Sequence, residues 1–361
     1  MRLQSLRLRN HRNYAQLDLT PGPGVNVFIG ANGQGKTNLL EAVAMLALSA
    51  SPRSRREIEL VGPVAPMSRI EAAVEGRGIT AELAITLNVE GERARRVIEV
   101  DGIRRRAFDL PGHFRATLFW PDDLGLVKAG PELRRRFLNQ MLVQIEPGYG
   151  RSLAGLKRVL EQRNSLLKRI AAGEESGDVL DVWDQELVQI GGEVAAARAA
   201  AVLELEPEAA RYHAEVAGGE RLEISYAGPP DNLAQAVHNS LAEDLRRGST
   251  TVGPHRDDLR VLLAGKDARA YASQGQQRTA VMSLKLAEAA LVTRRTGERP
   301  VLLLDDVLSE LDAERRVALL QQVAGEGQVI ITSAEVGPFP PDLISNAMVW
   351  KVSEGRIQPC G

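Results

Sequence analysis

The strongest constraint on what this chain can fold into is an eight-residue run near its start. Gly30, Ala31, Asn32, Gly33, Gln34, Gly35, Lys36 and Thr37 fit the pattern G-x-x-x-x-G-K-[ST]. An apolar stretch at 25–29 precedes the run and an apolar, helix-like stretch over 37–48 follows it. The run therefore sits where a buried strand turns into a helix. A glycine-rich turn in that setting aims backbone N–H groups inward at phosphate oxygens, where side chains would block approach. Lys36 is expected to reach the β- and γ-phosphates and the Thr37 hydroxyl to ligate Mg²⁺, so ATP with Mg²⁺ is the expected ligand.

A second anchor lies far along the chain, where Val301, Leu302, Leu303 and Leu304 lead into Asp305 and Asp306. Four apolar residues in a row read as a buried parallel strand, which delivers Asp305 beside the glycine-rich turn. Asp305 is expected to hold Mg²⁺ or its water, and Asp306 to polarise an attacking water. An apolar strand ending in Asp says little in isolation. Paired with the first motif it says much more.

The third element is Ser273-Gln274-Gly275-Gln276-Gln277-Arg278, just before a long helical stretch and 27 residues ahead of Asp305. A hydroxyl followed by Gly at a helix N-terminus is an anion site. That site cannot serve the chain's own bound phosphate, which already has its own helix N-terminus. Viewed in isolation, the same residues also read as a plain Ser N-cap.

Between the anchors the periodicity changes twice. Leu3, Leu6, Leu8, Leu17 and Leu19 alternate as strands do, and 70–101 reads as two or three antiparallel strands forming a β lobe with a turn at Asp101-Gly102. From Pro131 to about Val216, apolar residues fall at three- and four-residue spacings, broken by the polar turn 173–178, with helix resuming from Val179 to about Leu205. Two geometries fit: an antiparallel hairpin with arms of roughly 35–40 Å, or a compact bundle packed on the core. Strands return at 221–226, 259–263, 301–304 and 328–332, and helices at 231–247, 275–296 and 312–324.

Composition enters mainly by exclusion. The net charge of -2 rules out a globally basic DNA-coating protein, so any nucleic-acid contact must be local. The single cysteine, Cys360, excludes an intrachain disulfide, and five histidines show no metal-ligand spacing that would suggest zinc. The first ten residues lack the apolar core of a signal peptide and no run of about 18 apolar residues exists, so a cytoplasmic protein with no membrane span is expected.

Together, the P-loop, the SQGQQR signature, the LLLDD strand and Ser309-Glu310-Leu311-Asp312 resemble the ABC-type heads of the SMC/Rad50/RecF group. The 237 residues from Lys36 to Ser273 leave room for only a short helical insertion. That shortness resembles the RecF family, as do LRLRNHRNY near the start, residues 119–124 (FWPDDL), 130–138 (GPELRRRFL) and 252–259 (VGPHRDDL).

The resemblance implies an α/β fold: an ABC-type P-loop ATPase head with an antiparallel β lobe and a short helical insertion (arm) domain. The boundaries expected are 1–130 for the first part of the head with its β lobe, 131–220 for the arm and 221–361 for the rest of the head. It further implies a homodimer formed on ATP, in which Ser273 and Gly275 of one head meet the γ-phosphate held by the other. Lys36, Asp305 and Asp306 would then serve a weak ATPase used as a switch. The role implied is DNA binding at gaps or junctions in recombinational repair and replication-fork recovery, with RecR and RecO as partners in recombinase loading and SOS induction. An ATP-regulated adaptor that never touches DNA is the alternative.

Three departures from the pattern stand out. Pro52 in Ser51-Pro52-Arg53 replaces a residue of the family's Ser-His-Arg type of motif, and the strand ending at Thr332-Ser333 offers no transporter-type switch histidine. Asp306 stands where transporter ATPases carry Glu, and its shorter reach predicts slow hydrolysis. Basic clusters at Arg53/Arg55/Arg56, Arg104–106, Arg134–136 and Arg294/Arg295 read either as solvated or carboxylate-paired groups or as DNA contacts. Arg12 reads as a nucleotide contact or a plain turn residue, and His255 and Arg256 as neighbours of the site or the dimer seam.

Overall fold

The computed structural model describes the chain except residues 218, 324, 326, 338 and 361, with 310, 313 and 314 described by backbone only. Strands β1 (Arg2–His11) and β2 (Tyr14–Leu19) form a hairpin, and β3 (Val25–Ile29) runs through residues 30–35 into helix α1 (Lys36–Leu48). Strands β4 (Met67–Gly76), β5 (Ile79–Glu90), β6 (Arg93–Val100) and β7 (Ile103–Arg105) meander and join β1 and β2 in an antiparallel sheet ordered β2-β1-β4-β5-β6-β7. The β lobe expected over 70–101 is thus the larger part of a sheet that also recruits the chain's start. Asp101 (φ 50°) and Gly102 (φ 72°) make the expected tight turn between β6 and β7.

Strand β8 (Ala116–Phe119) and the short α2 (Gly125–Lys128) lead to α3 (Pro131–Ile145), α4 (Tyr149–Ala171) and the 37-residue α5 (Leu180–Val216). Then come β9 (Leu222–Ala227), α6 (Leu233–Arg247), β10 (Asp258–Leu263) and β11 (Lys266–Asp267), whose strands form a small antiparallel sheet. After α7 (Ala268–Tyr271) and α8 (Gln274–Thr296) the chain finishes the central sheet. It does so with β12 (Val301–Asp305), α9 (Ala313–Val323), β13 (Val329–Ser333), α10 (Pro341–Ser345), β14 (Met348–Ser353) and β15 (Arg356–Pro359). That sheet runs β15-β14-β3-β13-β12-β8, parallel throughout except for β15.

Helix α1 is apolar around nearly its whole circumference because it is covered on both sides. Leu39, Leu40, Val43, Met45 and Leu46 pack in one core with Leu3, Leu6 and Leu8 of β1 and with Phe28, Leu303 and Ile330 of the parallel sheet. The opposite face of that sheet presents Val27, Leu304 and Ile331 to Met282 and Leu286 of α8 and Leu319 and Leu320 of α9. Alternation along β12 and β13 thus fills two separate cores.

The helical segment combines both geometries that fit the sequence. Helices α4 and α5 form the hairpin, turning at residues 173–178, while Val194, Val202 and Leu205 of α5 pack into a core with Leu284 and Leu291 of α8 and with β9 and β10. Two fully buried arginines tie it down. Arg163 of α4 donates to Asp184 (2.6 Å), Asp244 (2.6 Å) and the Thr250 hydroxyl (3.0 Å). Arg198 of α5 donates to the Pro254 carbonyl (2.6 Å), Asn139 (2.9 Å) and the Tyr149 hydroxyl oxygen (3.1 Å).

Candidate nucleotide site

The glycine-rich run closes tightly between β3 and α1. A side chain on Gly30 would begin 2.3 Å from the Val352 carbonyl oxygen, and Gly33 (φ 82°) and Gly35 (φ 117°) adopt backbone conformations that favour glycine. Gly35, the N-cap of α1, offers no side chain to the first N–H groups of the helix. Lys36 folds back over the loop and donates to the carbonyls of Gly30 (2.6 Å) and Ala31 (3.0 Å). Burial pulls its pKa below the usual lysine value, against the opposing pull of Asp306 and Asp305.

The loop is braced from two sides. Asn13 Nδ2 donates to the Gln34 carbonyl (2.9 Å) and the Tyr14 hydroxyl to the Gly35 carbonyl (3.0 Å). From the other end of the chain, Glu354 N–H donates to Gln34 Oε1 (2.7 Å) and Gly355 N–H to the Gln34 carbonyl (3.1 Å). Sequence reading missed this brace, since the turn between β14 and β15 carries no motif.

Strand β12 lies between β13 and β8 and delivers Asp305 to the carboxyl end of the parallel sheet. The Thr37 hydroxyl lies 2.9 and 3.1 Å from the two Asp305 carboxylate oxygens, and Thr332 Oγ1 donates to Oδ1 at 2.7 Å. Burial raises the Asp305 pKa, with both threonine hydrogen bonds opposing. Asp306 holds a left-handed backbone (φ 51°), with its N–H directed to Thr332 Oγ1 (3.1 Å). Its Oδ1 is buried with no hydrogen-bond partner among the described residues. An orphaned buried carboxylate oxygen beside a threonine–aspartate pair is the donor set of a cation and water site.

Ser273 is exposed and caps α8 in a reciprocal box. Its Oγ accepts from Gln276 N–H (3.3 Å) and its own N–H donates to Gln276 Oε1 (2.7 Å). Gln276 Nε2 in turn donates to Glu220 (2.7 Å). Residues 30–37, Asp305 and Asp306 therefore assemble into one site. Ser273 and Gly275 do not join it: among the described residues neither hydrogen-bonds to residues 30–37. After Asp306, Ser309 donates from its hydroxyl to the Asp306 carbonyl (2.7 Å), and Arg316 secures the turn through the carbonyls of Leu308 (3.2 Å) and Leu311 (3.0 Å).

Several arginines are committed elsewhere. Arg12 forks onto Glu41 with two 2.9 Å contacts and also reaches Glu59 O and Ser54, bonds that hold its turn against α1. Arg134 forks onto Asp258 (2.6 and 2.9 Å), Arg135 donates to the Asp257 carbonyl (2.6 Å), and Arg294 and Arg295 pair with Glu204. His255 and Arg256 both engage the Thr250 carbonyl (2.9 and 3.2 Å). Arg104, Arg105 and Arg106 remain exposed at the β7 edge of the antiparallel sheet. Arg53 lies closest to the chemistry. It donates to Asn38 (3.1 Å), stacks 5.6 Å over Trp120 and contributes to the field at Asp305. Its tripeptide is anchored by Ser51, which donates to the buried Glu41 at 2.5 Å.

A parallel sheet with these elements at its carboxyl edge, an antiparallel lobe packed over α1 and a helical insertion define an ABC-type ATPase head. The sequence family described as RecF/RecN/SMC N terminal domain matches residues 2–340. The chain is 39% identical over 372 residues to the DNA replication and repair protein RecF of Heliobacterium modesticaldum, covering 99% of each chain. It is also 39% identical to the RecF of Chloroflexus aurantiacus over 392 residues, again 99% of both. A solved structure described as the recombination mediator protein RecF with ATP, in the RecFOR pathway, superposes with a TM-score of 0.91 at 32% identity, covering 99% of this chain and 97% of that one. An Smc head bound to the C-winged helix domain of ScpA, at 14% identity and a TM-score of 0.56, shares the fold alone. This chain belongs to the RecF family.

Proposed function

We propose that the protein is an ATP-gated DNA clamp of recombinational repair and replication-fork recovery. The observation that carries the reading is the convergence, at the mouth of one phosphate-shaped loop, of Lys36, Thr37, Asp305 and an Asp306 oxygen with no partner among the described residues. Residues 30–37 would cradle the triphosphate, and Thr37 with Asp305 would hold Mg²⁺, which supplies charge neutralisation at the phosphates. Asp306 orients the attacking water, and its short side chain makes hydrolysis slow, suiting a switch more than a motor. The exposed Ser273 and the half-buried Gly275, outside their own chain's site, are set to meet the terminal phosphate of a second head, so that ATP joins two copies. The closed dimer grips gapped or junction DNA, hydrolysis releases it, and RecR and RecO act with it in recombinase loading and SOS induction. The arm over 131–220 is a helical insertion in the head formed by 1–130 and 221–361. Family membership supports the repair role.

Sedimentation with and without ATP and Mg²⁺ tests the clamp. Dimers are expected only with nucleotide, and Ser273→Arg is expected to abolish them while ATP remains bound. A chain that stays monomeric with saturating ATP and Mg²⁺ rules the reading out. The adaptor alternative gains weight from the intrachain pairing of Arg134 and Arg294/Arg295, which removes two of the basic clusters. Gel shifts decide between them. The clamp binds DNA only with ATP and loses affinity steeply between roughly 50 and 200 mM salt, whereas the adaptor does not shift DNA at any salt.

A further inference from the structure

Arg315 stands in α9, three residues beyond Asp312, yet its guanidinium lies across the tip of the signature turn. Its Nη1, Nη2 and Cζ are 3.6, 3.7 and 3.9 Å from where a side chain on Gly275 would begin. The group therefore sits beside the start of α8 and within the first turn of α9. Both helix ends carry partial positive charge, so a guanidinium there is repelled from two directions. Among the described residues its ion pair is with Asp312, whose carboxylate also accepts from the Arg315 N–H (2.9 Å) and is half-exposed. Asp312 is the carboxylate paired with it, while Glu220 is held through Gln276 on the same turn, beside the exposed Ser273 hydroxyl.

The guanidinium is not consumed by this arrangement. Its side chain is 31% exposed, and its Nε–H is buried without a hydrogen-bond partner among the described residues. The neighbouring Arg316 differs, since both of its bonds close the turn at 308–311. A planar fork of donors next to a hydroxyl and open helix N–H groups is the set that recognises a phosphoryl group. Neither Ser273 nor Arg315 hydrogen-bonds to the chain's own residues 30–37 among the described residues, so the phosphate they suit comes from elsewhere.

We propose that Arg315 joins Ser273 as a ligand of the terminal phosphate of ATP held by a second copy of this chain, so that each closed site contains an arginine supplied in trans. The inference rests on the clamp reading above. Asp312 then acts as the holder that keeps the guanidinium at the turn until the phosphate arrives. The segment 309–312 and the signature turn, though distant in sequence, present a single surface to the partner.

The test is the ATP-dependent dimerisation of wild type, Arg315→Ala and Arg315→Lys, followed by sedimentation, with unfolding midpoints recorded to show that each variant is folded. The dimer dissociation constant is expected to rise at least tenfold in Arg315→Ala, and Arg315→Lys is expected to restore only part of the loss, because the fork is missing. Arg315→Ala is then mixed with Lys36→Ala, which cannot hold nucleotide. A heterodimer with one complete site should form more readily than either homodimer. A wild-type dimer matched by Arg315→Ala overturns this inference alone. A wild type that never dimerises overturns the clamp, and this inference with it. A mixture no better than its components shows that the arginine does not act in trans.

Discussion

Lys36 spends its ammonium on the carbonyls of Gly30 and Ala31, so an arriving phosphate must draw it away from two bonds of its own loop. A guanidinium has the charge but not the compact reach for that exchange. Lys36→Arg is therefore expected to weaken ATP binding by roughly ten- to a hundredfold, as read by titration with a fluorescent ATP analogue. Equal affinity would remove Lys36 from the site. His11 makes a separate prediction. Burial, helped by Arg12 and opposed by Glu41, lowers its pKa from 6.5 to about 4. The unfolded chain thus binds a proton that the folded chain refuses over that window. The stability is complete above pH 6.5 and is lost as pH falls toward 4, by about 3 kcal/mol. Urea unfolding should show this decline at pH 4.5 relative to pH 7.5, and His11→Gln should flatten it. The placement of Lys36, Thr37 and Asp305 in one site was legible in the sequence, because the glycine turn fixes the first two and the apolar strand delivers the third. Arg12 and Arg134 were not, since their partners Glu41 and Asp258 are set by tertiary neighbours.

Among the elements, the hairpin of β14 and β15 does more than close the sheet edge, since its turn holds Gln34 in place. Gly355 has φ 71°, and a side chain there would begin 2.3 Å from the Asn13 carbonyl. Gly355→Ala is expected to lower ATP affinity several-fold while circular dichroism stays native. An unchanged affinity would show that the brace is dispensable. Asp244, fully buried on α6, is the carboxylate shared by Arg163 and by Thr251, whose N–H donates to it at 2.8 Å. Asp244→Ala leaves buried Arg163 with Asp184 as its one carboxylate among the described residues and should cost about 3 kcal/mol in denaturant unfolding. From Leu259 to Thr332 the longer strands and helices were legible within a residue or two, while the short β11 and α7 were not. Nor was the end of α5. Its apolar spacing reads as helix to about Leu205, yet the helix continues through Pro207 to Val216. Pro207 faces solvent while Leu205, Ala209 and His213 are buried against neighbours, so packing outweighs the missing backbone bond.

At the scale of the whole molecule, the fold class was legible because the glycine-rich loop and the LLLDD strand admit few sheets that place them side by side. How the helical hairpin lies was not, because its apolar spacing fits both a free arm and a packed bundle. Val202 and Leu205 show that it is anchored along α8. If closure of two heads is the working event, turnover is expected to be slow. Phosphate release should stay well below one per second per head on the order-of-magnitude scale of switch ATPases. A steady-state rate of tens per second would point to a motor.

The central sheet takes β3 from the opening of the chain and flanks it with β13 and β14, from its last thirty or so residues. A nascent polypeptide emerging from the ribosome therefore holds its phosphate loop on a lone strand until residues 329–353 have been made. The antiparallel sheet has all its strand partners by Arg105, whereas α1, α8 and α9 also pack on β13. That sheet can pair first, and the nucleotide pocket takes shape only once β13 and β14 flank the phosphate loop.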